Sequence, residues 1–136
     1  MGDTLSYFLE NAVCQYKNSQ YPVLEISSLK IKSGDIVFFV GASGVGKSTL
    51  LETLGLMNNT IVNQPETKYL FDNGSFDLMN LWMKSESEIS KFRKKHFSFV
   101  FQSTNLFNNL SALQNVCIAQ IVRGRTESES KINAVR

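Results

Sequence analysis

Nine consecutive residues, Gly41-Ala42-Ser43-Gly44-Val45-Gly46-Lys47-Ser48-Thr49, bring together residue types that can hold phosphate. Their spacing is G-x-x-x-x-G-K-[ST], the pattern of a phosphate-binding loop. Glycines allow the backbone to turn its N–H groups toward phosphate oxygens, and a helix starting at the loop adds partial positive charge. Lys47 is placed to reach β- and γ-phosphate oxygens as a point charge, and the Ser48 hydroxyl to help hold Mg²⁺. Gly44, Val45, Gly46, Lys47, Ser48 and Thr49 are then the main phosphate contacts, with Gly41, Ala42 and Ser43 completing the loop. A glycine-rich turn with a surface lysine would explain the loop alone, but not the loop, the Lys-Ser pair and both flanks together. The pattern points to a chain that binds a nucleoside triphosphate or descends from one that did.

Such a loop needs a strand before it and a helix after it. Residues 36–40, Ile-Val-Phe-Phe-Val, read as a fully buried strand, and Ser48 onward as a helix with Leu50, Leu51, Leu54 and Met57 on one face. Upstream, the alternation of Leu5, Tyr7 and Leu9 predicts an opening strand within residues 5–16. Val23, Leu24, Ile26, Leu29 and Ile31 predict a second strand, with a bulge at Ser27-Ser28 where the alternation slips. Lys32-Ser33-Gly34-Asp35 is turn chemistry leading to the loop. Downstream, a short strand at Tyr69-Leu70-Phe71 runs into Asp72-Asn73-Gly74, a hairpin turn rich in residues that tolerate positive φ.

Three capping boxes follow: Ser85 with Glu88, Ser111 with Gln114, and Thr126 with Glu129. Ile89 and Phe92 begin the apolar stripe of the first helix, and Gly124 closes the second near Arg123. The third has Ile132 and Val135 on its apolar face and no stop signal by residue 136. Between the first two helices, residues 97–101 read as another buried strand ending at Gln102.

Composition narrows the function classes. The 136 residues, 43% of them hydrophobic, suffice for one modest domain with a core. Net charge is +2, and the densest basic run, Arg93-Lys94-Lys95, reads as a solvated helix end rather than a nucleic-acid patch. The apolar run at 36–40 is far too short to span a bilayer, and the first residues lack the regions of a signal peptide, so a cytosolic setting is expected. Cys14 and Cys117 have no metal-ligand spacing and read as small buried residues; His96 reads as a polar residue at a helix end.

Three blocks, in order, resemble one family. GASGVGKSTLLETLGL is similar to the G-x-S-G-x-G-K-S-T-L-L start of the ATP-binding subunit of ABC transporters. FRKKHFSFVFQSTNLFNNLSALQNV is similar to that family's stretch around its glutamine loop, with Gln102 at the glutamine. Tyr16, ahead of VLEISSLKIKSGD, stands where the family places an aromatic residue that stacks on adenine; Tyr21 is a nearby competitor. The wording around Arg93 and Phe99-Val100-Phe101-Gln102 is closest to the branch serving lipoprotein release and macrolide or peptide export.

The resemblance implies an α/β fold, a P-loop NTPase (ABC-type) core with an N-terminal antiparallel β-subdomain, incomplete at the C-terminus. Residues 1–105 would hold the β-subdomain and P-loop core through the glutamine loop, and residues 106–136 the start of the helical subdomain. It also implies ATP and Mg²⁺ as ligands, with Ser43 along the phosphates and Thr49 near the α-phosphate. Lys47 and Gln102 become the catalytic candidates, and Ser48 and Gln102 the metal ligands. Partners would be a membrane permease subunit and a second ATP-binding subunit, with the protein peripheral at the inner face of the cell membrane.

Neither L-S-G-G-Q nor an apolar strand ending Asp-Glu occurs in the chain, and His96 precedes the glutamine loop where the family's switch histidine follows it. The expectation is MgATP binding without efficient hydrolysis, and partial uncovering of Val37, Phe39 and their neighbours. Two alternatives are a short non-catalytic nucleotide-binding or interaction module and a nucleoside monophosphate kinase-like P-loop protein.

Overall fold

Alternating side chains and local turns build the first part of the molecule. A computed structural model describes residues 5–101 and 106–135, which fall into two compact units, Met1–Phe97 and Ser98–Arg136. In the first unit, β1 (Leu5–Cys14) and β2 (Leu24–Lys32) pair antiparallel. Strands β3 (Lys68–Phe71) and β4 (Phe76–Asp77) complete a sheet of order β2-β1-β3-β4. Asp72, Asn73 and Gly74 all adopt positive φ (53°, 54° and 79°), and the Ser75 N–H closes the hairpin onto the Asp72 carbonyl at 2.9 Å.

Leu9, Ala12 and Cys14 of β1 lie in the core with Leu50, Leu54, Leu56, Tyr69 and Ile89. These side chains join the sheet to α1 (Lys47–Leu54), the short α2 (Leu78–Leu81) and α3 (Glu86–His96). Helix α3 starts at the Ser85–Glu88 capping box and buries Ile89. His96 is its last residue, its ring stacked on Phe92 at 4.3 Å and edge-on to Phe71. The short α2, capped by Asp77, escaped the sequence reading because four residues are too few to show helical periodicity.

Several expectations need correction. Residues 36–40 form no strand: Ile36, Phe38 and Val40 are 84%, 81% and 89% exposed, and Val37 is also exposed. Phe39 alone turns onto the core. A strand needs neighbours to satisfy its N–H and C=O groups, and no described strand pairs with this segment. The uncovering implied by the family resemblance is therefore seen at Val37 and its neighbours Ile36, Phe38 and Val40, but not at Phe39, which packs against the core.

Residues 97–101 likewise form no strand, and Phe99, Val100 and Phe101 are exposed. On α1 the buried stripe is Thr49, Leu50, Thr53 and Leu54. Leu51 faces outward, and Met57 lies beyond the helix end and is exposed.

The irregularity expected at Ser27-Ser28 changes phase without changing register. Glu10 pairs with Ser28 and Ala12 with Ile26, the same register on either side. Asn11, at φ 49°, breaks the alternation of β1 at the same level, so both strands turn over together. The register shift falls instead between Leu5 and Tyr7.

The second unit contains α4 (Ala112–Val122) and α5 (Glu127–Ala134), each opened by its capping box. Gly124, at φ 97°, ends the α4 region as expected. Asn115 ties down the preceding loop, accepting from the Phe107 N–H at 2.8 Å and donating to the Leu110 carbonyl at 3.1 Å. Cys117 and Ser130 are buried, whereas Ile132 and Val135, expected on an apolar face, are exposed. Among the described residues no helix is long and apolar enough to cross a membrane.

Candidate functional site

Glycine geometry shapes the loop. Gly44 and Gly46 take φ values of 84° and 93°, in the left-handed region that side chains disfavour. At Gly46 space adds a second constraint, because a Cβ there would sit 3.2 Å from Val23 Cγ1 and 3.3 Å from the Val23 carbonyl oxygen. Gly46 is also the N-cap of α1, with no side-chain acceptor on the first N–H groups and no acidic residue in the first turn. The positive end of the helix is thus left to an anion.

Lys47 opens that helix and folds its side chain back over the loop. Its Nζ donates to the carbonyls of Gly41 at 2.9 Å and Ala42 at 2.6 Å. A cation is therefore held against the carbonyls at the start of the loop. Ser48 is exposed beside it, and no described residue hydrogen-bonds its side chain. A lone exposed hydroxyl fits Mg²⁺, which takes few protein oxygens and completes its shell with phosphate and water. Among the described residues, no three His, Cys, Asp or Glu side chains gather into a metal site of their own.

Tyr16 follows the end of β1 and presents an exposed ring beside the loop helix. Its hydroxyl hydrogen-bonds the Thr49 hydroxyl at 3.1 Å. Tyr21 lies further out, 73% exposed, its carbonyl accepting from Ser19 Oγ at 2.6 Å. The structure thus brings Tyr16 together with the residues at 41–49. Gln102 lies outside the described residues. A groove of about 470 Å³ between α3 and the β4–α2 segment includes Lys84, Lys91 and Lys95 in its lining, but no loop residue.

The other end of α1 is held by groups that the motif does not contain. Tyr69 donates its hydroxyl to the Thr53 carbonyl, and Tyr7 donates to the Leu54 carbonyl at 3.0 Å. Arg93, paired with Glu86, donates to the Leu56 carbonyl at 3.0 Å. The Leu54 and Leu56 carbonyls gain partners that the helix end does not supply, and the Thr53 carbonyl gains a second donor beside the Leu56 N–H at 3.0 Å. Burial pushes both phenols well above the ordinary tyrosine value, so they remain protonated donors. The Cys14 thiol is also raised by burial, against a lowering by hydrogen bonds with Thr60 and Thr53. None of these partners carries a sequence signal, because the pairings span from 16 to 47 positions.

A glycine loop on a helix N-terminus, with a lysine folded across it, defines a P-loop nucleotide-binding fold. The description "ABC transporter" belongs to the family model that matches residues 24–136, and the chain is a member of that family. It is 35% identical over 120 residues to the lipoprotein-releasing system ATP-binding protein LolD of Ehrlichia canis (strain Jake), covering 88% of this chain and 49% of that protein. Against LolD of Aquifex aeolicus (strain VF5) the identity is 37%, over 82% of this chain and 46% of the relative. The macrolide export ATP-binding/permease protein MacB of Shewanella sp. (strain W3-18-1) is 34% identical over 88% of this chain and 17% of its own length.

Among solved structures, the ATP-binding cassette MJ0796, a dimer in a post-hydrolysis state bound to ADP and Pi, matches with a TM-score of 0.71 at 29% identity. That match covers 95% of this chain and 54% of the other. The α/β fold is therefore that of an ABC-type P-loop ATPase, including its antiparallel sheet. This chain spans about half the length of the LolD relatives.

Proposed function

We propose that this chain is the nucleotide-binding part of an ABC transporter ATPase subunit, binding MgATP at residues 41–49. The observation that carries this reading is the Lys47 ammonium, held over the glycine loop at the uncapped N-terminus of α1. Lys47 and the loop N–H groups bind the β- and γ-phosphates. Ser43 lies along the phosphate chain, Thr49 near the α-phosphate, and the Tyr16 ring stacks on the base. Ser48, with Gln102, would hold Mg²⁺, which neutralises phosphate charge when bound. In the full assembly a second ATP-binding subunit and a membrane permease would complete the machine at the inner face of the membrane. Residues 106–123 would begin the helical subdomain that docks to that permease.

Hydrolysis also needs a group to orient the attacking water, and no apolar strand here ends in the acidic pair that the family uses for it. Binding without efficient turnover is accordingly the expected behaviour. Titration calorimetry with MgATP on wild type and Lys47→Ala tests the site, with a loss of about tenfold or more expected from removing a charge-assisted contact. Equal affinities would move the site elsewhere. Steady turnover at the rate of a whole ABC ATPase would refute the absence of catalysis.

A further inference from the structure

Two threonines outside the phosphate-loop motif meet in the core. Thr53, on α1, is 0% exposed and Thr60, in the segment after that helix, is 1% exposed. Their hydroxyl oxygens lie 2.6 Å apart. Thr53 Oγ1 donates its single hydrogen to the Thr49 carbonyl at 2.6 Å, so Thr60 is the donor in the hydroxyl pair. Burying two hydroxyls gains little stability over two methyl groups of the same shape. The pair must be judged by the geometry it imposes.

That geometry is a closed circuit. From Thr60 the backbone carbonyl accepts from the Gln15 N–H at 2.7 Å. Gln15 is bonded to Tyr16, whose hydroxyl returns to Thr49 at 3.1 Å. Thr49 is tied through its carbonyl to Thr53, which completes the ring. Immediately after Thr60 the segment is stitched to β1, by the Cys14–Ile61 bridge and by the Val62 N–H to the Val13 carbonyl at 2.8 Å. Thr60 is therefore tied to the end of β1 that leads to Tyr16, and Thr53 to the helix that carries the loop.

We propose that the buried Thr53–Thr60 hydroxyl pair is a positioning device that sets the spacing between the Tyr16 ring and the phosphate loop. Resting as it does on nucleotide binding at the loop, the device acts only on ligands that touch both ends. ATP spans the aromatic platform and the loop. Inorganic tripolyphosphate meets the loop alone and is indifferent to where the ring stands.

This difference supplies the test, made by calorimetry on the full chain with Mg²⁺ present. In a Thr53→Val, Thr60→Val double variant the shapes are kept and both hydroxyls leave. ATP affinity is expected to fall about threefold to tenfold, a part of what base–aromatic stacking contributes, while tripolyphosphate affinity stays at the wild-type value. Thr53→Ser, which keeps the hydroxyl, retains wild-type ATP affinity. Tyr16→Phe opens the circuit at its exposed end without touching the core and is expected to show the same split, so the test survives if the double variant fails to fold.

Unchanged ATP affinity in a folded double variant, or in Tyr16→Phe, overturns the device. So does an equal loss for both ligands, which marks a general loosening of the loop. If the wild type binds neither ATP nor tripolyphosphate, nucleotide binding itself is refuted and the device with it.

Discussion

Strand β1 and residues 36–40 make an instructive pair. Both are apolar, both read as strands, and both belong to the unit that holds the phosphate loop. Yet β1 is a central strand with Leu9, Ala12 and Cys14 at 0–1% exposure. The other segment, apolar at all five positions, pairs with no described strand and exposes four of its side chains. The difference lies in the supply of partners. Strand β1 has β2 on one side and β3 on the other, one of them brought back by a short connection. Hydrophobicity favours burial, but only neighbouring strands can satisfy a buried backbone. An apolar sequence without partners stays open.

Amide exchange offers the largest contrast. The N–H groups of Phe38 to Val40 should exchange faster than those of Leu9 and Ala12 by on the order of a hundredfold or more. Equal protection would mean that 36–40 finds a partner in solution. Side-chain truncation sharpens the same comparison. Leu9→Ala should destabilise the chain by about 2–5 kcal/mol in urea unfolding, and Val40→Ala by about 0.5 kcal/mol or less. Comparable losses would place Val40 in a packed core.

How far the sequence could be read follows the same division. The hairpin at Asp72-Asn73-Gly74 and the three capping boxes are as expected, because each is decided by a few adjacent residues. Residues 36–40 and 97–101 misled, because their periodicity reports a preference for burial and says nothing of what will cover them. Tyr16 was legible only through resemblance; its contact with Thr49 crosses 33 positions. The hydrogen bonds of Thr53 with Thr60 and of Tyr69 with Thr53 have no signature in the sequence, since side-chain pairings over 7 and 16 positions leave no local pattern.

Tyr69 allows that illegible layer to be measured. Tyr69→Phe keeps the ring in the core and removes the hydroxyl donated to the Thr53 carbonyl, which retains its bond from the Leu56 N–H at 3.0 Å. A loss of about 0.5–1.5 kcal/mol is expected on unfolding, with loop residues at the far end of α1 showing shifted amide resonances. A loss near zero would mean that water replaces the phenol.

The smallest expected effect extends the contrast of packed and open segments to two helices with the same start. Glu88 in α3 and Glu129 in α5 are each held below the ordinary glutamate value, Glu88 chiefly by the Ser85 hydroxyl and Glu129 chiefly by the Thr126 backbone N–H. A carboxylate depressed by folding stabilises above its unfolded pKa, and that contribution disappears as pH falls through the folded value. Both caps should therefore weaken below about pH 4.5, the unshifted glutamate value. Beyond its cap, α3 has Ile89 in the core and Arg93 bonded to the Leu56 carbonyl, groups that acid does not touch. Helix α5 adds to its cap the Lys131–Glu127 pair at 2.6 Å and the buried Ser130 hydroxyl donating to the Thr126 carbonyl at 2.8 Å. Asn133 also donates to Gln120 Oε1 at 3.4 Å, and no apolar side chain of α5 lies in a core. Glu127 is itself held low by Lys131, so the support of that pair disappears in the same range. Acid should consequently open the amides of α5 before those of α3, as followed by pH-resolved amide exchange. Simultaneous opening would show that the core beneath α3 adds nothing to the cap.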